Sequence, residues 1–522
     1  MPDDEQMSHA RTGPGSRPSR RQRLAGRLRP ATRRWLACFG SALAFLLIRF
    51  LVPTPVGQAD NRDGPRLLCG IGLNPVTGHH PRFFRFSYFE YLLSPACARH
   101  HPYPSAALLP LEIGRGLTPL FGLPGDLNLI AVAVLYCVLA ALAIASLAVG
   151  LRIRWWAQVL VAAATTVLIA DSAFFDVFGG PFSEPAALVG LLLVAAGVVY
   201  LGRGGRGTVV GLVLAGAGGF LAILSKEQYL VLAAPICLAL VLATMGRGRR
   251  RFRTREAAAG LLVAAALAVC AGGYWAWDAT SSYGQRLHHI QAVDMIFTDI
   301  VTSRPAAPAQ LRALGLPASW ARYAGDYYWD TRSVRFSPLY RRYENKLTDG
   351  NITRYLLTHP GAIAGVGQVS AEFAQQFRIT ALGDYPVSAG HPKGAYESRV
   401  VVFTWLFRHL PPGLGLWLYA PLWILMTALA GVALTAGRRR PWHRDGAVLI
   451  LCLTGCAVVA FVPPAYFAGI STTRHMVGMN LATVLAFIVS VPLAVSLLQQ
   501  ARSGRRAGIP ARRRYETVAV GT

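Results

Sequence analysis

The sequence predicts an all-α polytopic membrane protein with about ten transmembrane helices and both termini on the cytoplasmic side. Three observations predict it. The 522-residue chain is 53% hydrophobic and only 15% charged. Apolar runs of about 17 to 25 residues recur along its whole length, and roughly 20 helical residues cross the hydrocarbon of a bilayer. The third is charge. Lys and Arg number 52 against 25 Asp and Glu, a formal +27, and the excess sits in alternate connections between the runs. A soluble nucleic-acid binder would be basic without being this apolar, so no nucleic-acid partner is expected.

In chain order the spans are read at about 36–53, 127–150, 156–174, 185–201, 208–224, 229–245, 257–277, 414–436, 446–463 and 476–498. Basic residues near span ends are held on the cytoplasmic side. With the N-terminus inside, that side collects the tail 1–35, the connections at Arg152 and Arg154, Arg203 and Arg206, 246–256 and 437–445, and the tail 499–522. These segments carry 29 cations and six acids, a net +23, leaving only +4 for the rest of the chain. The tail 1–35, rich in Arg, Pro, Gly and Ser, reads as a disordered arm. The remainder divides into a membrane module over 36–277, an outer helical subdomain over 278–413, and three closing spans over 414–498. The run before Pro53 is taken as a retained first span rather than a signal peptide, although Gly57-Gln58-Ala59 resembles a weak cleavage site.

Two large segments, 54–126 and 278–413, fall on the outer face with short turns near 172–184, 225–228 and 464–475. Loops this long are usually functional or disordered. Segment 81–93 mixes aromatics with Arg and Glu and is too short and polar to span, so it is expected to lie as a helix in the interface. In 278–413, helical stretches are expected near 286–301, 338–348 and 361–378, separated by prolines. Of eight cysteines only Cys69 and Cys97 lie outside the spans. They form either a disulfide across the first outer loop or two free thiols. Asn351-Ile352-Thr353 is a glycosylation sequon by pattern alone.

Ionisable residues at membrane depth are costly and tend to line a cavity or pathway. Several collect at the outer edge: Asp60, Asp63 and Arg66 after span 1, Asp176 and Glu184 before span 4, Ser225-Lys226-Glu227-Gln228 between spans 5 and 6, and Arg474-His475 before span 10. Each alone has a plainer explanation. The acids after span 1 suit a solvated loop, Glu184 suits a helix N-terminus, and Lys226, Arg474 and Arg49 could snorkel, or Arg49 could pair with an acid. Five sites distant in sequence on one membrane face make a shared polar site the stronger expectation.

This pattern resembles the GT-C superfamily of integral membrane glycosyltransferases. Asp63-Gly64-Pro65-Arg66-Leu67 looks like the Asp-x-x-Arg-hydrophobic element of its hexosyltransferase branch. Phe182-Ser183-Glu184-Pro185 is similar to the aromatic-Ser-Glu-Pro turn, Ser225-Lys226-Glu227-Gln228 to a Ser-Lys-x-Gln turn, and Arg474-His475 to a late Arg-His pair. The acid pair departs from the pattern, being spaced Asp-x-x-Asp rather than adjacent. The resemblance spans the first six helices and the last outer turn, and nothing in 278–413 carries it. It implies inverting transfer of a sugar from a polyprenyl-phosphate donor to a glycan, lipid or protein acceptor, on the outer face of the plasma membrane and among membrane lipids. Asp63, then Asp60, would be the base. Lys226, Arg474 and His475 would receive the donor phosphate, and Glu184, Glu227, Gln228 and Arg66 would bind sugar hydroxyls or orient the cations. No cofactor is demanded; a divalent cation is compatible with the acids, but no spacing requires it. The rival classes are a transporter or flippase of lipid-linked sugars and a non-catalytic envelope-assembly protein. Against transport, no internal repeat relates the two halves and few ionisable residues lie mid-span.

Overall fold

The computed structural model describes residues 30–75, 84–99, 103–245, 252–301, 305–436, 441–469 and 472–507. Much of the two expected basic tails, 1–29 and 508–522, lies outside the described residues. The protein is an all-α polytopic membrane protein. Among the described residues, nine helices are long and apolar enough to cross a membrane, and a bent pair makes a tenth if counted as one span.

The main helices are α1 (Pro30–Leu51), α2 (Leu108–Leu120), α3 (Leu129–Gly150), α4 (Trp155–Ala170), α5 (Glu184–Leu201), α6 (Arg206–Ile223), α7 (Ala233–Met245), α8 (Phe252–Thr280), α9 (Ser282–Asp294), α10 (Pro360–Gln375), α11 (Leu416–Ala436), α12 (Pro441–Pro463) and α13 (Val477–Ala507). Helix α5 is apolar all round and is the buried centre, with 94% of its span window inside the protein, as expected of a helix without a polar face. It packs backbone to backbone on α6. A Cβ on Gly218 would stand 2.6 Å from the Gly190 carbonyl oxygen, and one on Gly197 would stand 2.8 Å from that of Gly211. Small residues at such crossings let helices approach where lipid removes the hydrophobic drive between them.

The third span differs from its expected range of 156–174. Helix α4 ends at Ala170, and the chain turns by 62° into the short helical stretch Ser172–Gly179. Asp171 causes the break. Its carboxylate accepts the backbone N–H of Ala173 at 3.1 Å, of Phe403 at 2.8 Å and of Thr404 at 3.0 Å, and also bonds the Thr404 hydroxyl. One side chain thus caps the turn and ties it to the outer subdomain.

The expected interfacial helix over 81–93 is not formed in its described part. Residues 81–83 lie outside the described residues, and Glu90–Leu93 is a strand. A small antiparallel sheet has the order β1 (Leu73–Pro75), β2 (Glu90–Leu93), β3 (Leu127–Asn128), with Tyr91 opposite both Pro75 and Leu127. Pairing on both edges satisfies its backbone groups, and the Asp126 carboxylate accepts the Leu93 N–H at 2.7 Å. The amphipathic element of this loop is α2 instead, which buries Leu111, Gly114 and Thr118 and leaves Leu109, Ile113 and Leu120 exposed. Cys69 and Cys97 are disulfide-bonded, which decides between the two alternatives left open by the sequence.

The outer subdomain has its own core, built on Phe297, Trp320, Leu347 and Ile352. Two of its expected helices form, as α9 continued by the π-helical turn Met295–Ile300, and as α10. The stretch near 338–348 breaks into the short turns Tyr340–Tyr343 and Glu344–Lys346. The Asn351 amide of the sequon donates to the carbonyls of Leu314 and Lys346, both at 2.9 Å.

A buried ionic network fastens this subdomain to the membrane helices. Arg49 of α1 reaches Asp176 at 3.2 Å and Glu397 at 3.7 Å, so it pairs rather than snorkels. Arg378 bridges Asp176 at 3.0 Å and Asp384 at 2.5 Å. Charges held this far from water are costly unless paired with opposite charges, as these are.

Candidate functional site

The segment after α1 is clamped on both sides before it delivers its acids. Gln58 N donates to the Asp176 carbonyl and Ala59 N to the Gly383 carbonyl, both at 2.7 Å. Asp60 follows, only 5% exposed. One of its carboxylate oxygens accepts the N–H groups of Arg62 at 2.7 Å and Gly64 at 2.9 Å. The other is buried without a hydrogen-bond partner. Burial pushes the Asp60 carboxyl up to about 6, with Asp63 adding to the rise against the two N–H bonds. Asp60 therefore shapes the turn.

Asp63 precedes the short helix Gly64–Leu68, whose first turn contains Pro65, and its carboxylate makes no cap bond there. It points to Arg474 instead, at 2.7 Å, and remains 44% exposed. Burial alone would raise this carboxyl, but Arg474, Lys226 and Arg66 hold it well below the usual range. Asp63 is thus the accessible, ionised acid of the pair.

A chain of alternating charges runs inward from it. Arg474 reaches Glu184 at 2.9 Å, and Lys226 reaches the same Glu184 oxygen at 3.1 Å. Glu184 is fully buried, with Arg474 and Lys226 nearly so. Its second oxygen is buried and unpartnered. Glu184 gathers two cations side by side at the N-terminus of α5, where the helix dipole also favours an acid. The Arg474 guanidinium lies 4.6 Å from the Phe182 ring centre. Arg66 pairs with Glu227 at 3.3 Å, and Tyr103 donates to Glu227 at 2.8 Å. The Arg66 guanidinium is sandwiched by Tyr103 and Tyr283, at 3.9 and 4.6 Å from their ring centres. Gln228 donates to the His475 carbonyl at 3.3 Å, joining the turn before α7 to the one before α13. Burial, with Lys226 and Arg474 beside it, pushes the His475 imidazole well below its ordinary pKa, so the ring is neutral.

The nine residues given roles in the site, Asp60, Asp63, Arg66, Glu184, Lys226, Glu227, Gln228, Arg474 and His475, meet in one cluster, whereas Asp176, expected at the same edge, is taken up by Arg49 and Arg378 in the network that holds the outer subdomain. Among the described residues, no group of three or more His, Cys, Asp or Glu side chains could hold a metal ion.

A cavity of about 270 Å³ opens beside Arg474, lined among others by Asn61, Phe84, Asp299, Tyr327, Gln376 and Thr473. Asp299 sits on the π-helical turn after α9, a form of helix often found at functional sites. One of its oxygens is buried and unpartnered. Burial, with Asp294 nearby, pushes its carboxyl up to about 7. Sequence reading missed Asp299, Tyr103 and Tyr283. Asp299 and Tyr283 lie in the long outer segment 278–413 and Tyr103 in 54–126, segments that their length marks as functional without singling out these positions.

The family model of the YfdI N-terminal transmembrane domain matches residues 27–505. The chain belongs to that family. No curated protein and no solved structure matches it. The YfdI-type domain takes in both the helices and the outer subdomain, so the ionic cluster and the cavity beside it lie within this single membrane domain.

Proposed function

We propose that the protein is a membrane glycosyltransferase that moves a sugar from a polyprenyl-phosphate donor to an envelope acceptor on the outer face. The observation that carries this reading is the ion chain Asp63, Arg474, Glu184, Lys226 at the membrane edge, next to a cavity with aromatic and amide walls. Such walls suit the faces and hydroxyls of a sugar ring.

In the reaction Asp63 takes the proton of the acceptor hydroxyl. The acceptor oxygen bonds to the anomeric carbon from the face opposite the phosphate, and the bond from that carbon to the phosphate oxygen breaks. Its electron pair stays on the phosphate. Lys226 and Arg474 receive that charge in surroundings of low dielectric, where fixed cations stabilise it most. Phosphate is a good leaving group, so one carboxylate suffices where glycosidases use two. Glu184 positions the two cations. Asp60 positions Asp63, and neutral His475 adds no charge.

The ion pairs also couple donor to base. Paired with Arg474 at 2.7 Å, Asp63 is too acidic to be an effective base. A donor phosphate that draws Arg474 and Lys226 toward itself removes charge from Asp63 and raises its basicity. The base is thereby switched on only when the donor is bound.

The reading is tested by comparing lipid-linked sugars and envelope glycans in cells with and without the gene. Loss of one glycan substituent with accumulation of its polyprenyl-phosphate sugar supports it. Unchanged glycans and unchanged lipid-linked pools refute it.

A further inference from the structure

A second feature, independent of the proposed transfer reaction, lies at the opposite end of the helices. Between α4 and α13 runs a groove of about 560 Å³ whose lining includes Trp156, Leu160, Phe487, Val491 and Val495, all exposed. Along α4 and α13 it runs from Arg152, Arg154 and Gln499 to Ala164 and Phe487, and Phe403 of the outer subdomain also lines it. Ten residues of α4, from Trp155 to Ala164, rise about 15 Å, half of a hydrocarbon layer of about 30 Å. The groove therefore matches the depth of one leaflet. By the charge alternation of the connections, that leaflet is the cytoplasmic one.

Its two ends differ in chemistry. The deep end is apolar. The mouth carries two guanidinium groups, and among the described residues no carboxylate lines the groove. Arg203 stands close enough to both Arg152 and Asp445 to be felt electrostatically and donates to the Val149 carbonyl at 2.7 Å; Asp445 does not line the groove. Arg152 has φ of 54°, a left-handed conformation that favours glycine or asparagine and is unfavourable for a long side chain. An arginine held there places charge at the groove mouth against its own backbone preference.

We propose that this groove is a docking site for one acidic phospholipid of the cytoplasmic leaflet, its acyl chain along α4 and α13 and its phosphate on Arg152 and Arg154. A zwitterionic lipid carries an ammonium as well, and among the described residues that line the groove there is no acid for that group. Selectivity for the acidic headgroup follows.

The test uses the full-length protein and native mass spectrometry with phosphatidylglycerol and phosphatidylcholine as competing probes. The wild type is expected to retain one phosphatidylglycerol in preference to phosphatidylcholine. In the double variant Arg152→Asn, Arg154→Gln that preference is expected to fall roughly five-fold per arginine removed, with phosphatidylcholine retention unchanged. Asparagine suits the backbone at 152, so folding is preserved. Val491→Trp, which fills the groove, is expected to expel both lipids. Equal retention of the two lipids by the wild type would overturn the proposal. So would phosphatidylglycerol retention unaltered in the double variant or in Val491→Trp.

Discussion

Glu184→Gln is the most informative single perturbation of the ion chain, because one buried oxygen holds two cations. At 2.9 Å from Arg474 and 3.1 Å from Lys226, each contact has a gross attraction of about 5 kcal/mol at an effective dielectric near 20. Desolvation offsets most of that while the pair is intact. Removing the shared anion leaves two cations that are 5% and 7% exposed without it. Loss of one partner of a buried pair costs about 3–5 kcal/mol. Asp63 still neutralises Arg474, so the lower figure, about 3 kcal/mol, is expected. The assay is thermal unfolding of the detergent-solubilised protein followed by size-exclusion chromatography. Glu184→Gln should melt several degrees below wild type. Adding Lys226→Met, which removes a stranded cation, should restore part of the loss, so that the two effects are non-additive by about 1–3 kcal/mol. An unchanged midpoint in Glu184→Gln, or strict additivity in the pair, would refute the reasoning.

Three other outcomes follow from the same structure. Asp60 has a folded pKa of about 6 against roughly 3.9 unfolded, so between these values the folded state binds more protons; stability from this group is greatest at low pH and falls by up to about 2–3 kcal/mol as pH rises past 6. Asp60→Asn, which keeps the carbonyl that accepts the two N–H bonds, should flatten the fall in melting temperature between pH 4.5 and 7.5, and an unaltered pH slope would count against the assignment. Peptide mapping without reductant should recover Cys69 linked to Cys97, and the double serine variant should lose about 2–4 kcal/mol; recovery of both as free thiols would contradict the bond. Gly218→Leu should lower the yield and melting temperature of folded protein by about 1–3 kcal/mol or more, since the facing Gly190 backbone cannot yield, and a wild-type melting curve would show that α5 and α6 are not in backbone contact.

The parts of this fold that the sequence reveals are those set by local pattern. Long apolar runs fix the spanning helices, and the alternation of arginine between them fixes which short turns share a face. That shared face is why Asp63, Glu184, Lys226 and Arg474, spread over more than 400 residues, group together on the sequence alone. Arg49 inside a span leaves snorkelling and pairing with an acid both open to the sequence, and the structure pairs it with Asp176. What stayed hidden depends on contacts between distant segments. The break at Asp171 is made by N–H groups of Phe403 and Thr404 more than 200 residues away. Arg378, Asp384 and Glu397 look like ordinary loop charges until the outer subdomain folds over Asp176 and Arg49. The strand Glu90–Leu93 mixes aromatic and apolar residues much as an interfacial helix does, and only its partners on both edges decide the outcome.

The central claim is that Asp63 is the base of a sugar transfer whose leaving phosphate is received by Arg474 and Lys226. It is tested most directly by the kinetics of Asp63→Asn in proteoliposomes given polyprenyl-phosphate sugars and an envelope acceptor fraction. Transfer is expected to slow by about 10² to 10⁴ while the donor KM does not rise, because Arg474 loses its competing carboxylate. Transfer at the wild-type rate in Asp63→Asn, or sugar flux across the bilayer that survives without any transfer, would contradict the account.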